Sequence, residues 1–346
     1  MNMNYRLPAE WEKHRGTIVA WPHNREDWPG KFHPIPWVYV EIVRKLSIDE
    51  KVFIIVNSKQ SENRIRKMLS KAGVNLKQIK IFKLTTNRGW MRDSCPAFVK
   101  NENSEVEAIK FRFNGWAKYD NWKKDAKLPA FITEKLGYKL SEAVWNDEPV
   151  VLEGGAIDSN CAGTLLTTEE CLMDENIQVR NPGFTKKDYE EMFNQYLGIT
   201  NVIWLGKGIA GDDTHGHVDD LCRFVNKNTV VMCREKNPKD ENYFNLEENW
   251  ERIKDAKLED GSAVQAVELP MPEPLIFEKM RLPASYANFY IGNGVVLVPT
   301  FNDKNDGTAL GILTELFPDK VVTGIHAVDL VWGLGTIHCL THEVVE

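Results

Sequence analysis

At 346 residues, with 42% hydrophobic and 27% charged side chains, the chain is long enough to bury a large core and is not compositionally disordered. A formal net charge of −7 excludes the basic field that a nucleic-acid surface needs, and it suits a cationic ligand. The opening "MNMNYRLPAEWEKHRG" has no signal-peptide pattern, no stretch reaches the length of a membrane span, and six scattered cysteines read as reduced thiols. The expectation is a cytoplasmic protein that engages neither membrane nor nucleic acid.

In chain order, runs rich in β-branched and aromatic residues predict strands at "TIVAWP" (17–22), "KVFIIVN" (51–57), "IKIFKL" (79–84) and "VEAIKFRF" (106–113). Between the second and third, "SKQSENRIRKMLSKAG" (58–73) places apolar residues at three- and four-residue steps and ends on glycine, as an amphipathic helix does. Strand signals continue at "PVVLEGG" (149–155), "GTLLTT" (163–168) and "NVIWLG" (201–206), with a helix at "TKKDYEEMFNQYLG" (185–198). Further strands are predicted at "NTVVMC" (228–233), "AVQAVELP" (263–270) and "GVVLVPTF" (294–301). The polar segment 234–262 reads as a surface loop plus a solvated helix, and "GTALGILTELFPDK" (307–320) as another helix. Last, "WGLGTIHCLT" (332–341) reads as a glycine turn feeding a strand. Strands alternating with helices, without a linker or low-complexity tract, define an α/β class and a single domain over 1–346. Units of roughly 60 residues fit the rhythm, although no repeat is visible in the letters.

Four polar clusters adjoin strand-like runs. They hold Trp90, Arg92, Asp93 and Cys95; Glu153 with a glycine pair; Asp212, Asp213, His215, His217, Asp219 and Asp220; and His338, Cys339 and His342. A nucleophilic cysteine needs a neighbouring base or cation to become a thiolate. Cys161, Cys171, Cys222 and Cys233 read as small buried hydrophobes, whereas Cys339 has polar neighbours after a glycine turn. If "THGHVDD" is extended, His215, His217 and Asp219 share a face. That face could hold a metal, as in a metallohydrolase, could pair proton transfer with substrate binding, or could be a structural network. The carboxylates Asp93, Asp219 and Glu153 are acceptors, which complement a planar guanidinium rather than an oxyanion. Cysteine, histidine and paired acids together suggest thiolate attack on a guanidinium carbon.

The stretches "LPAEWEKHRGTIVAWP", "WMRDSCP", "VVLEGGAI", "HGHVDDL", "SYANFYIGNGVVLVP" and "GTIHCLT" resemble the agmatine deiminases and bacterial peptidylarginine-deiminase-like proteins of the guanidine-modifying, pentein superfamily. The resemblance runs from about residue 5 to the last residue. It implies a five-bladed α/β propeller of ββαβ modules with pseudo-fivefold symmetry and a central site. It further implies hydrolysis of a guanidinium to a ureido group plus ammonia, without cofactor or metal, in a homodimer or higher oligomer. On matching positions Cys339 is the nucleophile and His217 the general acid and base. Asp93 and Asp219 bind the guanidinium, Glu153 orients His217, Trp90 lies by the substrate, and Asp213 receives the distal amine of agmatine.

Four features depart from that pattern. Cys95 stands where many relatives have glycine and is expected to pack; His215 stands where Asp or Asn is commoner, and His326 where many have Arg. The N-terminal "MNMNYRLP" lacks a short Asp-Gly-Phe lead-in. All are expected to flank the substrate tail. The favoured reaction is agmatine to N-carbamoylputrescine, a step of polyamine biosynthesis. The absent secretion signal speaks against an extracellular protein-arginine deiminase, and no arginine stands out as a receptor for the α-carboxylate of free arginine. Amidino transfer to an amine could use the same covalent intermediate. A metallohydrolase and a non-catalytic pentein binding protein are the rival classes. With two carboxylates beside it, Cys339 is expected to be mostly a thiol in the free protein.

Overall fold

The computed structural model describes residues 5–346. Among the described residues there are seven small sheets; two are two-stranded hairpins, and the other five share one connectivity: an antiparallel pair, then a helical crossover to a further, parallel strand. In the first sheet His14–Ala20 runs parallel to Lys51–Val56 beyond the helix Ile35–Leu46, and Ile79–Lys83 is added parallel at the edge. In the second, Ala97–Lys100 pairs antiparallel with Val106–Lys110, and the helix Leu128–Leu136 leads to Lys139–Glu142. The third joins Asp158–Ser159, Thr164–Thr168 and, after the helix Lys186–Leu197, Asn201–Leu205. The fourth is Cys222–Phe224, Thr229–Arg234, the helix Tyr243–Asp255 and Gln265–Pro270. The fifth is Tyr290–Ile291, Val295–Thr300, the helix Asp306–Leu316 and Val321–His326.

The antiparallel partner of His14–Ala20 comes from the far end of the sequence: Thr341–Val345, with His342 opposite Ile18. The middle strands read as continuous apolar runs because both faces are covered. In Lys51–Val56 only the first residue is exposed, and Thr164–Thr168 is buried throughout. Helix signals hold at their ends. Thr185 and Asp188 form a capping box, and Gly198 closes the same helix in the left-handed region at φ 70°.

Two expectations are corrected. Of "PVVLEGG", only Pro149 belongs to a strand, Glu148–Pro149, and Val151 makes an isolated bridge to Arg112; the glycines form a 3-10 turn, Gly154–Ala156. Cys339 is not on a strand but on the single-turn helix Ile337–Leu340 just before one. The α/β class holds, and among the described residues no helix is long and apolar enough to cross a membrane. Residues 1–4, with part of the N-terminal departure noted above, lie outside the described residues.

Candidate active site

Asp93, Glu153, His217, Asp219 and Cys339 each sit on a short turn leading into a strand of one of these sheets. The helix Met91–Ser94, with Trp90 as its N-cap, carries Asp93 into the second sheet. Glu153 caps Gly154–Ala156 ahead of the third. His217 caps Val218–Asp220, which contains Asp219, ahead of the fourth. Asn288 precedes the fifth, and Cys339 precedes Thr341–Val345 of the first. The turns at Met91–Ser94, Gly154–Ala156, Val218–Asp220 and Ile337–Leu340 pack on one another, which brings these residues together.

Glycine makes the convergence possible. A Cβ on Gly155 would lie 2.4 Å from His217 Nδ1, 3.0 Å from Asp93 Oδ1 and 3.1 Å from Asp219 Oδ2; one on Gly154 would lie 2.3 Å from the Arg92 carbonyl. Only a residue without a side chain lets these turns approach so closely. Gly155 N–H also donates to Asp93 Oδ1 at 3.0 Å, and Trp116 Nε1 donates to Asp93 Oδ2 at 2.9 Å, which fixes that carboxylate.

His217 is buried, with Nδ1 3.9 Å from Asp93 and Nε2 3.8 Å from Glu153, and neither ring nitrogen has a hydrogen-bond partner. Burial alone would lower its pKa, but Asp93, with Cys171 and Glu153, outweighs it and keeps the imidazole well above its ordinary value. Cys171, expected as a plain hydrophobe, therefore abuts the general acid–base candidate. Glu153 is wholly buried against Arg180, which donates through Nε at 3.1 Å. Burial opposes its charge, yet Arg180 and then His217 hold its carboxyl at about 2.

Asp219 is held from behind. His338 Nδ1 lies 2.6 Å from Asp219 Oδ2 while His338 Nε2 lies 2.8 Å from Glu10 Oε2; Glu10 in turn meets Arg92 at 2.9 Å and Arg223 at 3.2 Å. Burial raises the Asp219 carboxyl, but His338 more than offsets this and the net shift is downward; its Oδ1 is left without a partner. Asp93 goes the other way: burial raises it, His217 opposes, and Asp219 and Glu153 push it further up. Two buried carboxylates at one point, one reluctant to ionise, make a site that gains from an added cation.

Cys339 Sγ accepts from Asn288 Nδ2 at 3.2 Å and lies 3.8 Å from Asp219 Oδ2. Burial pushes its thiol well up, Asp219, Asp220 and Asp93 add to this, and Asn288 only partly offsets it. Cys339, Asp93, Trp90 and Asp213 line one cleft of ≈ 180 Å³, with Trp116 and Tyr119 along its wall.

Not every expected residue belongs here. The "THGHVDD" segment is not extended: Asp212 accepts from the backbone of Thr214, Gly216 and His217, and His215 (φ 66°) and Gly216 (φ 93°) reverse the chain. His215 therefore turns to Asp174, 2.8 Å away, so the His215–His217–Asp219 face of the metallohydrolase reading does not form. His326 is exposed at the end of its strand and does not line the cleft. Cys95 packs against the hydrophobic cluster around Met91 and Phe98, its thiol pushed up by burial. Asp213 does line the cleft, but Lys118 (2.6 Å) and Tyr119 (2.7 Å) already occupy its two oxygens. Glu10, Arg180, His338 and Asn288 were not assigned roles from sequence. Glu10, Asn288 and His338 lie inside stretches that carry the resemblance, which was a usable signal; Arg180 has none.

Comparison with known proteins gives the family of the chain. The chain belongs to the Porphyromonas-type peptidyl-arginine deiminase family, whose sequence profile matches residues 6–344. A relative from Listeria monocytogenes, named as an agmatine deiminase, is 33% identical over 369 residues, covering 98% of this chain and 96% of its own. The solved agmatine deiminase of Enterococcus faecalis is similar at a TM-score of 0.89 and 27% identity, covering 99% of this chain and 96% of that one. A C. jejuni agmatine deiminase, solved as a cysteine-to-serine variant with substrate bound, gives 0.87 and 28%, with the same coverage.

Proposed function

We propose that the chain is a deiminase that hydrolyses agmatine to N-carbamoylputrescine and ammonia, a cytoplasmic step toward polyamines. The observation that carries the reading is the meeting of an unpartnered imidazole and two buried carboxylates at Gly155, with the Cys339 thiol 3.8 Å from one of those carboxylates, where a planar cation is the missing charge. The five like sheets, joined by pairing of Thr341–Val345 with His14–Ala20, support the finer reading of a pseudo-fivefold pentein propeller formed by one domain.

Asp93 and the free Oδ1 of Asp219 take the guanidinium N–H groups. The arriving cation favours ionisation of Asp93 and of Cys339, whose thiolate attacks the guanidinium carbon. His217, raised and therefore protonated, gives its proton to the departing ammonia. The resulting thiouronium is attacked by water, His217 takes the water proton, and the C–S bond breaks to release the ureido product and restore Cys339. Glu153 and Arg180 fix the His217 ring. Trp90 packs beside the substrate stem, and the distal ammonium takes the place of Lys118 at Asp213.

The test is ammonia release from agmatine, arginine, a blocked arginine peptide and a methylated arginine, with chelator present, by wild type and Cys339→Ala. Release from agmatine that is lost in the variant is the expected result. Release that survives the substitution overturns covalent catalysis. A second measurement follows thiolate absorbance of the free enzyme against pH, and a Cys339 titration below the ordinary thiol value would contradict the charge balance described above.

A further inference from the structure

His338 stands one residue before Cys339 on the single-turn helix Ile337–Leu340 and takes no part in bond making or breaking. Its backbone is pinned on both sides: the N–H donates to Asn288 Oδ1 at 3.1 Å, and the carbonyl accepts from Arg92 Nε at 3.4 Å. Its buried ring lies between two carboxylates, with Nδ1 2.6 Å from Asp219 Oδ2 and Nε2 2.8 Å from Glu10 Oε2. Carboxylates only accept hydrogen bonds, whereas a neutral imidazole has one N–H and one bare nitrogen. A neutral ring would set a lone pair against an oxygen lone pair on one side, unless that acid held the proton. Glu10 is not that acid. Arg92 Nη2 donates to its Oε2 at 2.9 Å, Ile291 N–H donates to its Oε1 at 2.7 Å, and Arg223 Nη2 lies 3.2 Å from Oε1. Burial opposes its charge, yet Arg223 leads the groups that hold this carboxyl well below its ordinary range.

The surroundings ask for one more cation. Glu10, Asp158, Asp219 and Glu343 stand around the ring against Arg92 and Arg223 only, and His342, lowered to about 4 by burial, adds no charge. On the reading that Asp219 grips a guanidinium, we infer that His338 is a positioning residue: protonated on both ring nitrogens, it keeps Asp219 ionised in the free protein and occupies Oδ2, so that Oδ1 is the oxygen left for the substrate. Burial and the neighbouring Asp93 would otherwise favour the acid form of Asp219. Without His338, the affinity for a guanidinium acquires a loss on the acid side that a packing residue would not produce.

The experiment measures agmatine binding by calorimetry from acid to alkaline pH, on Cys339→Ser and on Cys339→Ser carrying His338→Asn, so that thiol chemistry is absent from both. Asparagine keeps an N–H for Asp219 and takes up no proton. The pH at which half the affinity is lost should rise by about 1–3 units in the double variant, the displacement that an adjacent cation imposes on a carboxylate. At alkaline pH the two affinities should converge. A midpoint that does not move, or an equal loss at every pH, overturns the inference and leaves the guanidine reading intact. Absence of agmatine binding by Cys339→Ser at any pH removes both. Where the double variant fails to fold, nitrogen NMR of histidine-labelled wild type reads the ring directly. Both His338 nitrogens should carry protons at neutral pH, and a bare nitrogen there overturns the inference.

Discussion

The two ends of the cleft are built on different terms. At the inner end Asp93 lines the cleft and Glu153, His217 and Asp219 lie buried behind it, all at most 4% exposed, and each carboxylate has a partner that fixes its direction. At the outer end Lys118 is two-fifths exposed and holds Asp213 by a single ion pair, while Met280 and Arg88 reach in from the rim. An exposed ion pair is worth little and exchanges readily, whereas a buried one broken on one side costs several kcal/mol. Chemistry is therefore fixed where rearrangement is expensive, and substrate choice is left where it is cheap.

The comparison can be broken most directly at the inner end. Cys339→Ala should cost on the order of 10⁴-fold or more in kcat, since removing a nucleophile outweighs any positioning effect. Gly155→Ala tests geometry without removing a charged group. Its methyl would displace His217, and a misplacement of about 1 Å should lower kcat roughly 100-fold. A G155A enzyme with near-normal turnover would mean that the convergence at Gly155 is not the reactive centre.

The buried pair at Glu153 offers a thermodynamic version of the same test. Its folded-state pKa of about 2 lies below the ordinary 4.5, so its stabilising contribution is complete above 4.5 and is lost as pH falls toward 2. At one pKa unit per 1.36 kcal/mol the contribution is about 3 kcal/mol, with more than half gone by about pH 3. Denaturation of wild type and Glu153→Gln across this range should show the gap between them shrinking. A constant gap would indicate that Arg180 does not hold the carboxylate in the folded state. The smallest effect is expected at His215→Ala, within twofold in kcat/KM, because its ring faces Asp174 away from the cleft. A loss above tenfold there would restore the shared histidine face.

Much of the inner end was legible in sequence because its residues are of types with few structural uses in such company. Cys339, His217, Asp93, Asp219 and Glu153, all named from sequence, are brought together by the fold. The misreading of His215 came from assuming a two-residue period; the left-handed residues His215 and Gly216 cancel that period within a single turn. Glu10 and Arg180 went unassigned for another reason. Each acts through a partner that only the tertiary fold supplies: Glu10 through His338, 328 residues away, and Arg180 through Glu153, 27 residues away. The fold class followed from alternation of strands and helices, but the short leading strands such as Asp158–Ser159 are too brief to carry a pattern.

The pairing of Thr341–Val345 with His14–Ala20 has a consequence for biosynthesis. Chains fold from the N-terminus as they emerge from the ribosome, so the second to fifth sheets can form while the first still lacks one strand. Cys339 lies immediately before that strand and takes its place beside Asp219 only when the two distant segments zip together. A nascent polypeptide thus carries the acids and the imidazole without a nucleophile among them. Catalytic competence therefore waits for that pairing, and labelling of Cys339 by a guanidine-shaped electrophile would time that event.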